Sequence, residues 1–200
     1  QAIQYFNDTF GVQFTTQRKT LLIIGGSLGA RTINDSMKAN LKALIDSGIQ
    51  VIWQTGKYYF EDCKQALISQ LSTLNTQHST IICTDFISQM PQAYALADLV
   101  ISRAGASSIS ELCLLGKASI LVPSPNVAED HQTHNAMALV RRDAAVLVKD
   151  VEAHSLLVPT ALQLIADDAQ LTNLQHNILT LALPDSANLI AQEVIKLAKK

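Results

Sequence analysis

The sequence predicts an α/β fold, a doubly wound parallel sheet of about six strands with helices on both faces. Short β-branched apolar runs alternate along the chain with segments of helical periodicity, an order typical of parallel sheets. The apolar runs are continuous, as expected for strands that are buried on both faces. The 200 residues contain no Gly/Ser-rich linker, low-complexity segment or internal repeat, so we expect one domain.

The predicted elements follow one another in a regular order. The first strand spans residues 19–25, an apolar run that ends in glycine. One helix ending at Gly48 is predicted next, because four apolar residues recur at helical spacing: Ile33, Met37, Leu41 and Leu44. The same alternation predicts strands at 49–54, 80–84, 98–102, 118–123 and 145–149, and helices at 60–74, 91–97, 107–115 and 130–142.

The strand signals stop after Asp150. Three helices are predicted there, at 155–166, 169–181 and 186–199, and Pro184 separates the last two. We therefore predict one domain over residues 1–200, with the sheet core at about 19–150 and C-terminal helices at about 154–200. The longest apolar runs fall far short of the ~20 residues that span a bilayer, so no transmembrane helix is predicted.

Composition and charge exclude some classes of function. Fifteen basic and seventeen acidic residues give a net charge of −2, which disfavours nucleic acid as the main partner. Charged residues make up only 16% of the chain, against roughly 25% in an average domain, so we expect part of the surface to face something other than water. The N-terminal residues do not resemble a secretion signal. Because there is no initiator Met, we expect a fragment of a longer protein.

The three cysteines indicate the compartment. Cys63, Cys83 and Cys113 lie far apart and within apolar runs. This placement favours reduced core thiols over a disulfide framework or a zinc site. We therefore expect a reducing, cytoplasmic environment.

A glycine-rich segment follows the first predicted strand. Residues 25–31 have the sequence Gly-Gly-Ser-Leu-Gly-Ala-Arg and lead directly into a helix. Glycines allow close backbone approach, and the free N–H groups of a helix N-terminus favour a phosphate. A tight turn without a ligand is the alternative. Neither G-x-G-x-x-G nor G-x-x-x-x-G-K-[ST] is present, which disfavours dinucleotide dehydrogenases and P-loop NTPases.

A second glycine-rich helix start follows the fourth predicted strand, at residues 102–111. Ligands of such sheets bind outside the carboxyl ends of the strands, so two anion-binding helix starts on one edge suggest a pyrophosphate. Glu111 lies one turn into the second helix, where its carboxylate could accept hydrogen bonds from a ribose diol. A first-turn acid that complements the helix dipole is an equally good interpretation of Glu111.

Polar segments follow the other predicted strands. Residues 123–135 form a proline-bounded loop whose amides and imidazoles suit sugar hydroxyls. Two histidines there, His131 and His134, lack a third ligand at fixed spacing, so a metal site is disfavoured. Residues 54–57 and 85–87 complete the set, although turn chemistry alone would also explain them. G-x-S-x-G is absent, so no α/β-hydrolase triad is predicted.

Five of these segments, in this order, resemble the MurG family, the N-acetylglucosaminyltransferases of peptidoglycan synthesis. The family has the two-domain GT-B architecture, and its C-terminal domain is a Rossmann-like donor-binding domain. The segments are residues 25–34, 53–57, 85–87, 102–111 and 130–135, and the resemblance extends over about residues 5–199. It implies that this chain is the donor-binding domain, and that an N-terminal acceptor domain lies before Gln1.

The resemblance also implies roles for individual residues. The Ile87 backbone would contact the uracil beside Phe86, Glu111 would hold the ribose, and Gln132 with Asn135 would meet the N-acetylglucosamine. The diphosphate contacts would be Gly26, Ser27, Ala106, Ser107 and Ser108, with Arg103 nearby. Gly29 and Gly105 would be further substrate-binding residues. The chain departs from the family pattern at Leu28, at Thr133 and in a 123–130 loop about two residues longer.

The implied reaction is inverting transfer of N-acetylglucosamine from UDP-GlcNAc to the 4-hydroxyl of a lipid-linked N-acetylmuramoyl-pentapeptide, converting lipid I to lipid II. Helix ends would stabilise the departing UDP, so no metal or other cofactor is expected. The general base is expected in the other domain, so this fragment alone should be inactive. The implied location is the cytoplasmic face of a bacterial plasma membrane, with peripheral contact mainly through the other domain.

Two other classes of function stay open. A nucleotide-dependent oxidoreductase would share the fold but bind a nicotinamide cofactor. A non-catalytic nucleotide-sugar binding module, or an enzyme similar to the UDP-GlcNAc 2-epimerases, would share the donor site.

Overall fold

The computed structural model describes residues 1–74 and 80–198. Six strands form one parallel sheet: β1 Thr20–Ile24, β2 Gln50–Gln54, β3 Ile81–Thr84, β4 Leu99–Ser102, β5 Ser119–Leu121 and β6 Val146–Leu147. Their order across the sheet is β3-β2-β1-β4-β5-β6, and each neighbouring pair is parallel. The predicted fold class is therefore confirmed, and each of the six predicted strands is present.

Ten α-helices lie in the described part of the chain. They are α1 Ala2–Phe10, α2 Arg31–Ala39, α3 Leu41–Asp46, α4 Phe60–Leu74, α5 Met90–Leu96, α6 Ala106–Leu115, α7 His131–Val140, α8 Ala153–Ile165, α9 Asp168–Leu179 and α10 Ser186–Ala198. Short 3-10 turns at Ala128–Asp130 and Asp150–Glu152 precede α7 and α8. Lys199, predicted as the end of the last helix, and residue 200 lie outside the described residues.

The prediction of a single helix ending at Gly48 is wrong, because the helix is interrupted at Asn40 and divides into α2 and α3. Asn40 has φ −117° and ψ 17°, outside the helical region, and its Nδ2 donates to the Ser36 carbonyl at 2.9 Å. An asparagine side chain that bonds the nearby backbone competes with the helical ladder. Met37 and Leu41, on either side of the break, nevertheless remain buried in one core.

Alternate side chains of the strands enter two separate core layers. Leu21 and Ile23 of β1 pack with α2, α4 and α8, whereas Leu22 packs on the opposite face with α1, α5, α6 and α7. Burial on both faces explains why the strand is apolar throughout. The sheet thus lies between two layers of helices, and loops cover its carboxyl edge.

The cysteines are thiols, as predicted. Cys63 and Cys113 are buried and Cys83 is half-buried, all in the reduced form. Burial raises the pKa of Cys63 and of Cys83 to about 12, so both thiols stay protonated near neutral pH. They serve as small apolar core side chains.

Exposed apolar surface is concentrated on the last helix. None of the residues of α10 is buried. Its large exposed apolar side chains are Leu189, Ile190, Val194, Ile195 and Leu197. No helix in the described residues has both the length and the apolar character needed to cross a membrane.

Candidate functional site

The strand order reverses between β1 and β4, and the loops after both strands meet at the carboxyl edge of the sheet. In open α/β sheets a crevice forms at such a switch point, because successive connections run to opposite faces. Residues 25–30 follow β1 and residues 103–105 follow β4. Both predicted anion-binding segments therefore lie at one crevice.

The β1–α2 loop is a tight turn. Gly26 and Gly29 have φ of +80° and +88°, and the Gly29 N–H donates to the Gly26 carbonyl at 3.0 Å. Ser27 is exposed at the tip. Ala30 caps α2 without any side-chain hydrogen bond, so the first turn of the helix keeps N–H groups for another acceptor.

Gly29 and Gly56 hold the β1 and β2 loops in backbone contact. A Cβ added to Gly29 would lie 2.3 Å from the Thr55 carbonyl oxygen. One added to Gly56, where φ is +78°, would lie 2.1 Å from the Gly29 nitrogen. The third glycine of the predicted phosphate loop thus has a packing role, because only glycine allows this approach.

Gln54 ties three strand-end loops together. Its side chain is buried, with Oε1 accepting from the Gly25 N–H at 3.0 Å and Nε2 donating to the carbonyls of Gly26 at 2.8 Å and Asp85 at 2.9 Å. From the sequence, turn chemistry alone would also explain residues 54–57. The Gln54 side chain positions residues 25–26 against the 85–87 loop.

The N-terminus of α6 is the second free helix end at the crevice. Gly105 is its N-cap, with extended φ −67° and ψ 149°, and no side chain caps the helix. Ala106 and Ser107 are exposed, and Ser108 is half-buried. A glycine cap brings no side-chain oxygen to satisfy the first N–H groups, which leaves them for an anion.

The predicted uridine residues lie on the loop after β3 and on α6. Phe86 is 62% exposed, whereas the Ile87 side chain is buried, which leaves only its backbone for a ligand. Glu111 is exposed on α6, and its Oε2 accepts a hydrogen bond from the Tyr94 hydroxyl at 2.9 Å. No sequence motif indicates Tyr94 as the partner of Glu111.

Arg103 lies at the end of β4 but is held by protein groups. Its Nη1 donates to the Val122 and Pro123 carbonyls at 3.1 and 3.2 Å and forms an ion pair with Asp150. Asp150 in turn accepts from the Thr32 hydroxyl at 2.9 Å. Arg103 therefore joins the ends of β4 and β5 to α2, and its predicted place near a diphosphate stays a prediction.

Gln132 and Asn135 fix the β5 loop to the β4 loop. Gln132 Oε1 accepts from the N–H groups of Ser124 at 2.9 Å and Ala104 at 3.3 Å, and Asn135 Nδ2 donates to the Ala104 carbonyl at 3.1 Å. Gln132 Nε2 has no partner among the described residues. The amide therefore keeps one donor for a ligand.

A polar cleft of about 360 Å³ lies between these loops. It is lined by Gly29, Ala30, Arg31, Thr32, Tyr59, Arg103, Ser124, Pro125, Asn126, Gln132 and Asp150.

Within residues 1–74 and 80–198, no group of three His, Cys, Asp or Glu side chains is placed to hold a metal ion. Thr133, where the chain departs from the family pattern, donates to Asp130 at 2.6 Å.

Known proteins resemble this chain in sequence and in fold. Residues 20–192 match the glycosyltransferase family 28 C-terminal domain. A protein of Bacteroides thetaiotaomicron is 57% identical over 91% of this chain and 48% of its own length, and one of Parabacteroides distasonis is 54% identical over 92% and 48%. Both are named UDP-N-acetylglucosamine--N-acetylmuramyl-(pentapeptide) pyrophosphoryl-undecaprenol N-acetylglucosamine transferase.

A solved structure has a fold similar to that of this chain. The crystal structure of Acinetobacter baumannii MurG superposes with a TM-score of 0.76 at 26% identity, over 92% of this chain and 51% of that chain. The chain thus spans about half the length of the relatives that it matches.

Proposed function

This chain belongs to the glycosyltransferase family 28 C-terminal domains, and on that premise we propose that the carboxyl edge of its sheet binds UDP-GlcNAc as the donor half of an N-acetylglucosaminyltransferase. The observation that carries the proposal is the pair of helix N-termini, α2 and α6, which lack side-chain caps and meet at one crevice. Two such ends suit the two phosphates of a diphosphate. The names of the closely similar relatives favour a transferase over an oxidoreductase or a binding module.

The proposed donor pose follows the order of the loops. Uracil lies against Phe86 and the Ile87 backbone, and ribose lies against Glu111. The diphosphate lies between the turn that holds Gly26 and Ser27 and the start of α6. The sugar then occupies the polar cleft, where Gln132 Nε2 is available as a donor.

The proposed chemistry is electrostatic. As the bond between the anomeric carbon and UDP breaks, negative charge grows on the diphosphate, and the preorganised N–H groups of α2 and α6 stabilise it. The attacking group in the whole protein is the 4-hydroxyl of a lipid-linked N-acetylmuramoyl-pentapeptide. We assign the acceptor site and the general base to an N-terminal half of the whole protein. We assign the membrane contact, on the inner face of a bacterial plasma membrane, to that half as well.

A transfer assay tests this division of labour. This chain alone is expected to bind UDP-GlcNAc and to transfer no sugar, because one domain supplies half of the cleft. A protein of the relatives' full length that contains this chain is expected to transfer labelled N-acetylglucosamine to the lipid-linked acceptor. Transfer by this chain alone would contradict the assignment.

Gln132 is expected to distinguish the sugar. The substitution Gln132→Glu keeps an acceptor for the Ser124 and Ala104 N–H groups but removes the free Nε2 donor. We expect the ratio of affinities for UDP-GlcNAc and its C4 epimer UDP-GalNAc, measured by calorimetry, to fall towards one, because a site that pairs with a hydroxyl rejects a misplaced one. Charge repulsion from the new carboxylate cancels in this ratio, since both ligands share UDP.

Thr133→Ala serves as the control for Gln132→Glu. Thr133 neighbours Gln132 but bonds Asp130, so its loss is expected to leave the ratio unchanged. An unchanged ratio in Gln132→Glu would place the sugar elsewhere.

A further inference from the structure

Glu111 is held by a residue from another helix. The Tyr94 hydroxyl donates to Glu111 Oε2 at 2.9 Å, across 17 positions of sequence. The Tyr94 side chain is 5% exposed and packs in the same core layer as Ile87 and Leu112. A buried phenol therefore reaches out to an exposed carboxylate.

This hydrogen bond has two consequences for Glu111. It occupies one carboxylate oxygen and leaves Oε1 to accept from a ligand, and it restricts a side chain that would otherwise sample several rotamers. Restricting the side chain in advance lowers the entropy that a ligand must remove on binding. Burial and the hydrogen bond to Glu111 raise the pKa of Tyr94 above its ordinary value, so the hydroxyl stays a donor at neutral and mildly alkaline pH.

Tyr94 also connects two parts of the proposed uridine site. The 85–87 loop leads directly into α5, which carries Tyr94, and α6 carries Glu111. A shift of α5 would therefore move the 85–87 loop and the Glu111 carboxylate together.

We propose that Tyr94 is a positioning residue that orients Glu111 towards the vicinal diol of a ribose. The proposal rests on the donor site proposed above. If Tyr94 had only a structural role, loss of its hydroxyl would change the stability of the protein. The preference of the protein for ribose over 2′-deoxyribose would then stay intact.

The test is a double-mutant cycle in which UDP and 2′-deoxy-UDP are titrated against each protein by calorimetry. Wild type is expected to prefer UDP, and Glu111→Ala is expected to lose the preference. Tyr94→Phe is expected to reduce the preference by roughly three- to tenfold, the range for one hydrogen bond. In the Glu111→Ala background, Tyr94→Phe is expected to change nothing further. Because both ligands are measured on the same protein, a loss of stability cancels.

Tyr5→Phe is the matched control. It removes a phenol that lies 3.3 Å from Ser88 Oγ and does not contact Glu111, so the preference should persist. If wild type shows no preference or does not bind UDP, the proposed donor site itself fails. If Glu111→Ala abolishes the preference while Tyr94→Phe retains it in full, the donor site stands and the role of Tyr94 is refuted.

Discussion

Alanine at Gly56 is expected to lower the free energy of unfolding by about 2–5 kcal/mol. The residue has φ +78°, which costs a side chain about 1–2 kcal/mol, and the new Cβ would lie 2.1 Å from the Gly29 nitrogen, an overlap that costs about 1–3 kcal/mol more. The β1 and β2 loops must separate to relieve the overlap, so UDP affinity is expected to fall as well. Urea titration measures the stability and calorimetry the affinity.

Gly48→Ala is the control for this prediction. Gly48 has φ +71°, but nothing lies within 4 Å of an added Cβ. Only the cost of the positive φ, about 1–2 kcal/mol, is expected, with UDP affinity unchanged. Equal losses of stability in the two variants would show that backbone contact between the loops contributes nothing.

Loss of the Arg103 side chain is expected to cost about 2 kcal/mol, less than the roughly 3–5 kcal/mol for breaking a fully buried ion pair, because both partners are part-buried. The side chains of Arg103 and Asp150 are 19% and 16% exposed, and without Arg103 the carboxylate keeps only the Thr32 hydroxyl as a described donor. If the uncompensated charge causes the loss, adding Asp150→Asn to Arg103→Ala recovers part of the stability, as thermal or urea unfolding would show.

Arg31→Ala provides the comparison. Its ion pair with Asp35 is exposed on α2, with 80% of the Arg31 side chain in solvent, so a change of less than about 1 kcal/mol is expected. A similar small loss in Arg103→Ala would contradict the bridging role of Arg103.

The strands could be predicted from the sequence because each is a local apolar run. The two glycine-rich helix starts were predictable for the same reason, since a glycine after a strand is a local signal. The helix break at Asn40 was not, because it depends on a side-chain hydrogen bond to Ser36 that competes with the helical periodicity. The apolar periodicity predicts one continuous helix there, but the Asn40 side chain competes for the backbone and ends α2.

The contacts that position the site residues could not be predicted from the sequence, for a different reason. Arg103 and Asp150 are 47 positions apart, and Tyr94 and Glu111 are 17 apart. Such pairs exist only after the sheet has brought separate loops together. Arg103 and Glu111 lie in the glycine-rich segment 102–111, but their partners Asp150 and Tyr94 lie in no segment that the sequence marks as part of a site. Gln54 lies within a segment that the sequence does single out, but its three backbone partners, Gly25, Gly26 and Asp85, come from the loops after two other strands.

We propose that the carboxyl edge of this sheet is a uridine diphosphate site, and calorimetric titration of this chain with UDP and with ADP separates that proposal from a general diphosphate site. Both ligands carry the diphosphate and the ribose diol, so the difference between them reports on the base contacts at Phe86 and Ile87. We predict that UDP binds and that ADP binds roughly tenfold or more weakly, because a site that hydrogen-bonds one base leaves groups unpaired with another. No binding of UDP, or equal affinity for UDP and ADP, would contradict the account.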